Sequence, residues 1–270
     1  YSTVNFGAGN VTSNGIADVF VTKLNSSGAH QWTTTLGGTN NDIGYGVAVD
    51  GSGNVYATGS FKGTVNFGAG NVTSAGNGDG FVTKLNAAGV HQWTNTFGSH
   101  PSEYGYGVAV DGSGNVYTSG YFSGTVNFGA GNVTSAGSGD VFVTKLNAAG
   151  VHQWTTTLGG DGNDGGKGLA LDAAGNVHVT GQFSGTVDFG AGNVTSNGDK
   201  DVFVTKLNAA GVHQWTTTLG GTDTDFSDRV AVDSSGNVYT TGYFQGTVDF
   251  GAGNVTSAGS YDVFVVKLNS

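Results

Sequence analysis

One stretch of this chain recurs almost unchanged every 61 residues, and this period constrains the fold more than any single residue does. The segment Thr-Val-Asn/Asp-Phe-Gly-Ala-Gly-Asn-Val-Thr-Ser starts at Thr3, Thr64, Thr125, Thr186 and Thr247. The tryptophans keep the same spacing, at Trp32, Trp93, Trp154 and Trp215. Such self-similarity is typical of stacked supersecondary units that are each too small to bury their own apolar face. We expect one repeat array over residues 1–270, with repeats at about 3–63, 64–124, 125–185 and 186–246 and a partial repeat at 247–270.

Composition narrows the class of protein. The net charge is −10 and only 10% of residues are charged, so neither nucleic acid nor an anionic membrane surface is an expected partner. The absence of cysteine excludes disulfides and thiol chemistry. No apolar run approaches the ~20 residues of a membrane span, so membrane insertion is not expected. The chain begins at Tyr1 without any methionine, and we expect a mature or excised piece.

One repeat contains four short β-patterns joined by Gly, Asn, Asp and Ser turns. They are Gly107–Asp111, Asn115–Phe122, Asp140–Leu146 and Val151–Leu158, and they predict an up-and-down antiparallel sheet. Many strands are apolar on both faces, which indicates a sheet covered on both sides. Radially arranged four-stranded sheets satisfy this pattern, so the predicted fold is an all-β propeller of near-identical 61-residue blades. A right-handed β-helix is the alternative.

The same residues carry a resemblance to a known repeat. Asp140-Val-Phe-Val-Thr-Lys-Leu-Asn147, Trp154 to Gly160, Val108-Ala-Val-Asp111, Gly114-Asn-Val-Tyr117 and Gly120 resemble the bacterial SBBP-type β-propeller repeat. The match covers nearly the whole chain and recurs four times. The resemblance implies a secreted or cell-surface module that is not an enzyme class, so it offers no catalytic residues to transfer.

The two ends of the chain repeat each other. Residues 245–270 correspond to residues 1–26, so the Phe-Val-Thr/Val-Lys-Leu strand occurs five times and the Trp strand four times. We therefore expect about four blades plus a spare terminal strand. Three outcomes remain open: a cut from a longer array, a closed four-bladed ring with a spare strand, or strand exchange between molecules.

The link after each Trp strand is the part that varies most between repeats. It lies on the same face as the Thr-Val-Asn-Phe segment, and loops on a rigid scaffold are where binding functions vary. The predicted ligand contacts on this face are Asn41, Asp42, Tyr45, Glu103, Tyr104, Asp161, Asp164, Asp223 and Asp225. Unconstrained drift of these loops is the alternative explanation.

Two further kinds of site follow from side-chain chemistry. Asp223, Asp225 and Asp228 carry oxygen ligands at spacings that suit a structural Ca²⁺, although they do not match an EF-hand loop. A solvated acidic loop explains the same residues. The pattern Asn-Val-Thr is an N-glycosylation acceptor, and it occurs at Asn10, Asn71, Asn132, Asn193 and Asn254. No other cofactor is expected.

Several repeated residues have structural explanations. Asp50, Asp111, Asp172 and Asp233 each open an Asp-x-x-Gly-Asn turn, whose N–H groups a short carboxylate accepts. The repeated lysines are expected to lay their stems over apolar surface. The tryptophans fit either blade-to-blade packing or sugar stacking.

These observations predict a non-enzymatic extracellular scaffold. Its expected partner is itself, through exchange of terminal strands that builds a head-to-tail filament. The alternative is a propeller that binds carbohydrate, such as surface glycans, or another ligand through the variable loops. No nucleophile elbow, phosphate loop or pair of carboxylates in distinct environments supports an enzyme.

Overall fold

The computed structural model describes residues 3–269, and these residues form β-strands joined by turns, without a helix. The strands are β1 Thr3–Asn5, β2 Asn10–Thr12, β3 Val19–Leu24, β4 His30–Leu36, β5 Ile43–Val49, β6 Val55–Phe61, β7 Thr64–Asn66, β8 Asn71–Thr73, β9 Asp79–Leu85, β10 His91–Phe97, β11 Tyr104–Val110, β12 Val116–Phe122, β13 Thr125–Asn127, β14 Asn132–Thr134, β15 Asp140–Leu146, β16 His152–Gly160, β17 Gly165–Leu171, β18 Val177–Phe183, β19 Thr186–Asp188, β20 Asn193–Thr195, β21 Asp201–Leu207, β22 His213–Leu219, β23 Phe226–Val232, β24 Val238–Phe244, β25 Thr247–Asp249, β26 Asn254–Thr256 and β27 Asp262–Leu268. Accordingly, residues 3–269 contain no helix long and apolar enough to cross a membrane.

The strands assemble into antiparallel four-stranded blades. In the middle blade β11 pairs with β12, β12 with β15 and β15 with β16. The sheets β5-β6-β9-β10 and β17-β18-β21-β22 repeat this order. The first strands of successive blades contact each other in the series β5, β11, β17 and β23, so they are the inner strands. This arrangement confirms the predicted all-β fold of repeated four-stranded antiparallel sheets.

The turn between the first and second strands of each blade is set by aspartate, as the sequence predicts. In the middle blade Asp111 Oδ1 accepts the backbone N–H groups of Ser113 and Asn115, both at 2.9 Å. Gly114 has a φ of 79°, which glycine adopts without steric cost. The carboxylate therefore closes the turn, and this explains why aspartate stands there in every repeat.

The Thr-Val-Asn/Asp-Phe segment that recurs every 61 residues forms a small hairpin between the second and third strands of a blade. In the middle blade β13 and β14 pair, and Val126 and Phe128 are 0% and 8% exposed. They pack against Phe122 and Phe142 of their own blade and against Phe97 of the preceding blade. The hairpin thus fills the gap between adjacent blades, and the burial of its apolar residues explains its near-constant sequence.

The blades at the two ends are incomplete. Towards the N-terminus β3 and β4 pair with each other in the manner of a third and a fourth strand, and among residues 3–269 they have no first and second strand beside them. Towards the C-terminus β23, β24 and β27 form a sheet in which the described residues supply three strands and no fourth. The repeats counted from Thr3 are therefore out of phase with the sheets. The strand that the sequence has in excess is therefore a third strand. One copy of it lies at each end of the array, as β3 and as β27.

Candidate functional site

A β-bulge interrupts every inner strand at the same place. The pairing of the first and second strands shifts register around Tyr45, Tyr106, Lys167 and Asp228, one residue in each of four blades. Bulges re-aim side chains and often lie beside functional sites. These four positions carry Tyr, Tyr, Lys and Asp, so the bulged residue changes along the array while the bulge itself is kept.

Glycines flank the first three bulges and let the inner strands approach closely. A Cβ on Gly46 would lie 2.8 Å from the carbonyl oxygen of Tyr106. A Cβ on Gly168 would lie 2.9 Å from Cα of Arg229 in the next blade. The bulged side chains of neighbouring blades are consequently brought into contact.

The bulged residues form a continuous row, which we call the inner row: Tyr45, Tyr106, Lys167 and Asp228. The ring centroids of Tyr45 and Tyr106 are 4.9 Å apart. Lys167 Nζ lies 3.6 Å from the ring centroid of Tyr106, a cation–π contact. Asp228 interacts electrostatically with Lys167. Residues separated by about 61 positions in the sequence thus act on one surface.

A pocket opens between the middle blade and the blade that follows it. We call it the inner pocket; its lining includes Tyr104, Tyr106, Tyr121, Asn163, Lys167 and Gln182. The rings of Tyr104 and Tyr106 are nearly parallel, with an interplanar angle of 16° and centroids 5.7 Å apart. The pocket therefore combines a flat aromatic wall with amide and ammonium groups.

The electrostatics of the inner pocket differ from those of the whole chain. Lys167 is half-buried, and burial lowers its pKa; Asp228 acts in the opposite direction, and Lys200 and Arg229 lower the pKa further. Burial also raises the pKa of Tyr106, and neighbouring tyrosines add to this effect. Two further cations, Lys200 and Arg229, thus act on Lys167 here, within a protein of net charge −10.

Four of the predicted ligand contacts are buried carboxylates that close the variable links: Asp42, Glu103, Asp164 and Asp225. Asp42, for example, accepts the N–H groups of Gly38 and Lys62 at 2.7 and 2.9 Å. Burial raises the pKa of Glu103 to about 7 and that of Asp164 to about 6, against the backbone hydrogen bonds that lower both. The contacts give these carboxylates a structural role, and contact with a ligand stays a prediction.

The other predicted residues fall into two groups. Tyr45 and Tyr104 lie half-buried at the inner row and inner pocket, whereas Asn41, Asp161 and Asp223 are exposed on the links. Bridges such as Gly38–Val65 and Gly139–Asn163 place the links beside the hairpin and the segment before the third strand, as the sequence predicts.

The predicted metal and glycosylation sites are placed as follows. Within residues 3–269 no three His, Asp or Glu side chains are grouped so as to hold a metal ion, and this includes Asp223, Asp225 and Asp228. Calcium binding stays a prediction. All five acceptor asparagines are exposed at the start of a hairpin strand, at Asn10, Asn71, Asn132, Asn193 and Asn254. Their modification also stays a prediction.

The tryptophans join neighbouring blades. Trp32, Trp93 and Trp154 donate their indole N–H groups to backbone carbonyl oxygens 55 residues further along, at 3.0, 3.2 and 3.2 Å. Lys84, Lys145 and Lys267 lie over tyrosine rings, with Lys145 Nζ 5.0 Å from the ring centroid of Tyr117, and Lys206 pairs with Asp172. These contacts favour the packing interpretation over sugar stacking on the indoles.

The terminal blades expose apolar residues whose counterparts are buried. Val263 and Val265 of β27 are 77% and 73% exposed, whereas Val141 and Val143 of β15 are each 0% exposed. At the other end Phe20 of β3 is 53% exposed, against 0% for its counterpart Phe142. Each end therefore presents an uncovered sheet face and a strand with one unpaired edge.

Sequence reasoning did not single out Tyr106, Tyr121, Lys167 and Gln182. A comparison of the strands within the chain carries the signal, because position 167 reads Tyr, Tyr, Lys, Asp across the four repeats and position 182 reads Ser, Tyr, Gln, Tyr. These are the positions that vary inside otherwise constant strands.

Comparison with known proteins gives partial matches. The chain is 25% identical over 319 aligned residues to an uncharacterized WD repeat-containing protein, L264, of Acanthamoeba polyphaga mimivirus, covering 92% of this chain and 23% of that protein. It is 30% identical over 127 residues to the regulatory protein FlaEY of Caulobacter vibrioides, covering 46% of this chain and 13% of that protein. The chain thus spans less than a quarter of either relative.

Among solved structures, a protein of unknown function from Bacteroides caccae aligns with a TM-score of 0.45 and 9% identity, over 96% of this chain and 71% of that one. A family model described as the SBBP beta-propeller repeat matches residues 31–60 and 214–243. Each match spans the fourth strand of one blade and the first two strands of the next. The chain therefore matches the SBBP beta-propeller repeat at two places, which confirms the resemblance seen in its strands and turns.

Proposed function

We propose that the chain is an interaction scaffold whose terminal blades join copies of the protein head to tail. The proposal rests on one observation: the N-terminal and the C-terminal blade each contain a third strand, β3 in one and β27 in the other. Together the two ends supply a first, second and fourth strand once each and a third strand twice. When one of the competing strands withdraws, the N-terminal blade of one copy and the C-terminal blade of another form one complete blade.

The competing strands are nearly interchangeable. Val19-Phe-Val-Thr-Lys-Leu24 and Val263-Phe-Val-Val-Lys-Leu268 differ at one position. In the present structure β24 pairs with β27 along its whole length, with Tyr239 opposite Lys267. β3 offers the same pattern, with Lys23 in the place of Lys267. Exchange of one for the other therefore preserves the register and most side-chain contacts.

Burial of the terminal faces supplies the driving force. Val263, Val265 and Phe20 are more than half exposed, and their counterparts inside the array are fully buried. Covering a side chain of this size contributes about 1.5–3 kcal/mol each. The ordering of a flexible terminus opposes this gain, so we expect assembly to depend on concentration.

The relatives are compatible with a scaffold role. One is named a WD repeat-containing protein, and radial repeats of this kind present rigid surfaces to partners. A secreted or cell-surface location, in which such assemblies would build an extracellular filament, is part of the proposal and rests on the resemblance to the SBBP repeat.

Light scattering coupled to size-exclusion chromatography, with electron microscopy of the same fractions, tests the assembly. We expect masses in multiples of 27.1 kDa that grow with concentration, and rods in the micrographs. A single compact species of one chain mass at all concentrations would refute the proposal, because the ends would then close on each other or stay apart.

A disulfide trap tests the exchanged pairing directly. The described residues contain no cysteine, so Lys23→Cys and Tyr239→Cys introduce a unique pair that lies opposite one another only after exchange. Oxidation should give a ladder of covalent oligomers, and each single variant should give dimers at most. A cross-link within one chain would indicate ring closure and contradict the head-to-tail arrangement.

A further inference from the structure

We propose that the inner pocket binds an acidic carbohydrate, a sugar ring that carries a carboxylate, as uronic acids do. This site lies between the second and third complete blades, and its lining residues belong to those two blades. Its lining residues come from β11, β12, β17 and β18 and from the links that precede β11 and β17.

The aromatic wall provides the surface for a sugar ring. Tyr104 and Tyr106 lie within 16° of parallel, and Tyr121 stands 6.0 Å from Tyr104, measured between ring centroids. The hydroxyl of Tyr121 donates to the carbonyl oxygen of Ser138 at 3.1 Å, which fixes this ring. Preorganised aromatic faces bind the apolar C–H face of a sugar at low entropic cost.

The charge at the pocket favours an anion. Lys167 Nζ is held over Tyr106 at 3.6 Å, and its electrostatic neighbours are Lys200, Arg229 and Asp228. Lys167 is therefore the cation that the inner pocket itself presents to a ligand. An ammonium group that is half-buried and aimed into a pocket is suited to a charge-assisted hydrogen bond with a ligand carboxylate.

Gln182 supplies the third element of recognition. It is 7% exposed, lines the inner pocket, and its Oε1 has no hydrogen-bond partner among residues 3–269. A buried amide oxygen without a partner is costly, and a ligand hydroxyl would satisfy it. Asn163 beside it is half-buried and adds a second amide.

These three elements select the ligand class together. A flat aromatic anion would use the tyrosine wall and Lys167 but would leave Gln182 without a donor. A neutral sugar would use the wall and Gln182 but would bring no negative charge to Lys167. A sugar acid uses all three, so we infer that the carboxylate binds at Lys167 and a ring hydroxyl at Gln182.

Titration of the intact protein with three small probes tests the ligand class. Sodium D-glucuronate, D-glucose and sodium benzoate are compared by calorimetry and by saturation-transfer NMR. We expect D-glucuronate to bind about tenfold more tightly than D-glucose, the value of one charge-assisted hydrogen bond at its lower end. The preference should weaken as the salt concentration rises. Equal affinity for the two sugars, tighter binding of benzoate, or no binding of D-glucuronate would each overturn the proposal.

Variants drawn from the chain's own repeats test the location. Lys167→Tyr and Gln182→Ser introduce the residues that stand at the equivalent positions of the first complete blade, Tyr45 and Ser60, so the fold accepts them. K167Y should abolish the preference for D-glucuronate over D-glucose. Q182S should weaken the binding of both sugars by about fivefold, the value of one neutral hydrogen bond. Lys62→Ser is the matched control, since Lys62 is exposed outside the inner pocket, and it should leave both affinities unchanged.

A measurement on the unaltered protein keeps the test independent of the variants. The side-chain amide signals of Gln182 and Asn163 should shift on titration with D-glucuronate, whereas that of Asn41 on an exposed link should not. Binding that leaves the Gln182 amide unmoved, or that persists with unchanged preference in K167Y, would place the sugar elsewhere and refute the site.

Discussion

The indole Nε1 of Trp93 donates a hydrogen bond of 3.2 Å to the carbonyl oxygen of Ala148, 55 residues further along the chain. Beside it, the side-chain amide of Asn95 donates to the carbonyl oxygen of Gly150 at 2.9 Å. Gly150 lies against the indole, where a Cβ would come within 2.9 Å of the ring. The outer strand of one blade thus holds the turn before the outer strand of the next, and this contact recurs along the array.

Replacement of Trp93 measures the strength of this junction. Trp93→Phe keeps an aromatic ring but removes the donor, so we expect a loss of about 1 kcal/mol in the free energy of unfolding. Trp93→Ala also removes the packing against Tyr56 and should cost about 3–5 kcal/mol. Urea denaturation checks both values. Gln92→Ala is the control, because Gln92 is exposed and bonds only to backbone oxygens beside it; equal losses for W93A and Q92A would show that the junction is not stabilising.

The glycine in the second strand of each blade leads to another prediction. A Cβ on Gly120 would overlap the carbonyl oxygen of Tyr104 and the ring of Phe142. Gly120→Ala should therefore destabilise the protein by about 1–3 kcal/mol through overpacking. Gly112→Ala is the matched control, since a Cβ there meets nothing within 4 Å. Thermal unfolding of the two variants should separate them clearly, and a G120A midpoint equal to that of G112A would contradict the packing.

The strands, turns and repeat architecture were predictable because each depends on local chemistry that recurs. The Asp-x-x-Gly-Asn turn, for example, needs only the carboxylate of Asp111 and the free φ of Gly114. The fold follows once the same pattern is seen in every repeat, because neighbouring copies must cover one another's apolar faces.

The site was less predictable because it depends on direction and on contact between distant residues. Residue type drew attention to Asp42 and Glu103, but sequence does not show that their carboxylates point inward to close the links. Tyr106 and Lys167 meet only because a bulge turns each side chain toward the same surface. No local sequence pattern marks this bulge, because its residue is Tyr in two copies, Lys in the third and Asp in the fourth.

The buried link carboxylates predict how stability depends on pH. Burial raises the folded-state pKa of Glu103 to about 7 from an ordinary value of 4.5, so folding favours its protonated form. Its contribution to stability is fully present below about pH 4.5 and is lost as the pH rises through 7. Asp164, with a pKa raised to about 6, acts in the same direction. We expect a higher thermal midpoint at pH 5 than at pH 8. Glu103 should contribute on the order of 3 kcal/mol to the corresponding difference in the free energy of unfolding.

Two variants separate this effect from general electrostatics. Glu103→Gln should reduce the difference between pH 5 and pH 8, because the amide does not ionise. Asp111→Asn should lower stability at both pH values and leave the difference unchanged, since hydrogen bonds from Asn115, Ser113 and Tyr117 outweigh burial and hold the pKa of Asp111 below its usual value. An E103Q protein with an undiminished pH response would exclude Glu103 as its source.

The rate of amide hydrogen exchange in a third strand should depend on how many of its edges are paired and how deeply it is buried. β15 is paired on both edges, with β12 and with β16, and its Val141, Phe142 and Val143 are each 0% exposed. β27 has the same role but pairs only with β24, and Val263 and Val265 face solvent. In dilute protein we expect the amides of β27 to exchange at least about tenfold faster than those of β15, because local opening there breaks fewer contacts. Raising the protein concentration should slow amide exchange in one of the competing strands, β3 or β27, because that strand then pairs on both edges. Exchange in the other strand, which is displaced, should become faster. Equal protection of β15 and β27 in the dilute protein would mean that the C-terminal blade is already complete, and the source of its fourth strand would then have to be sought within the same chain.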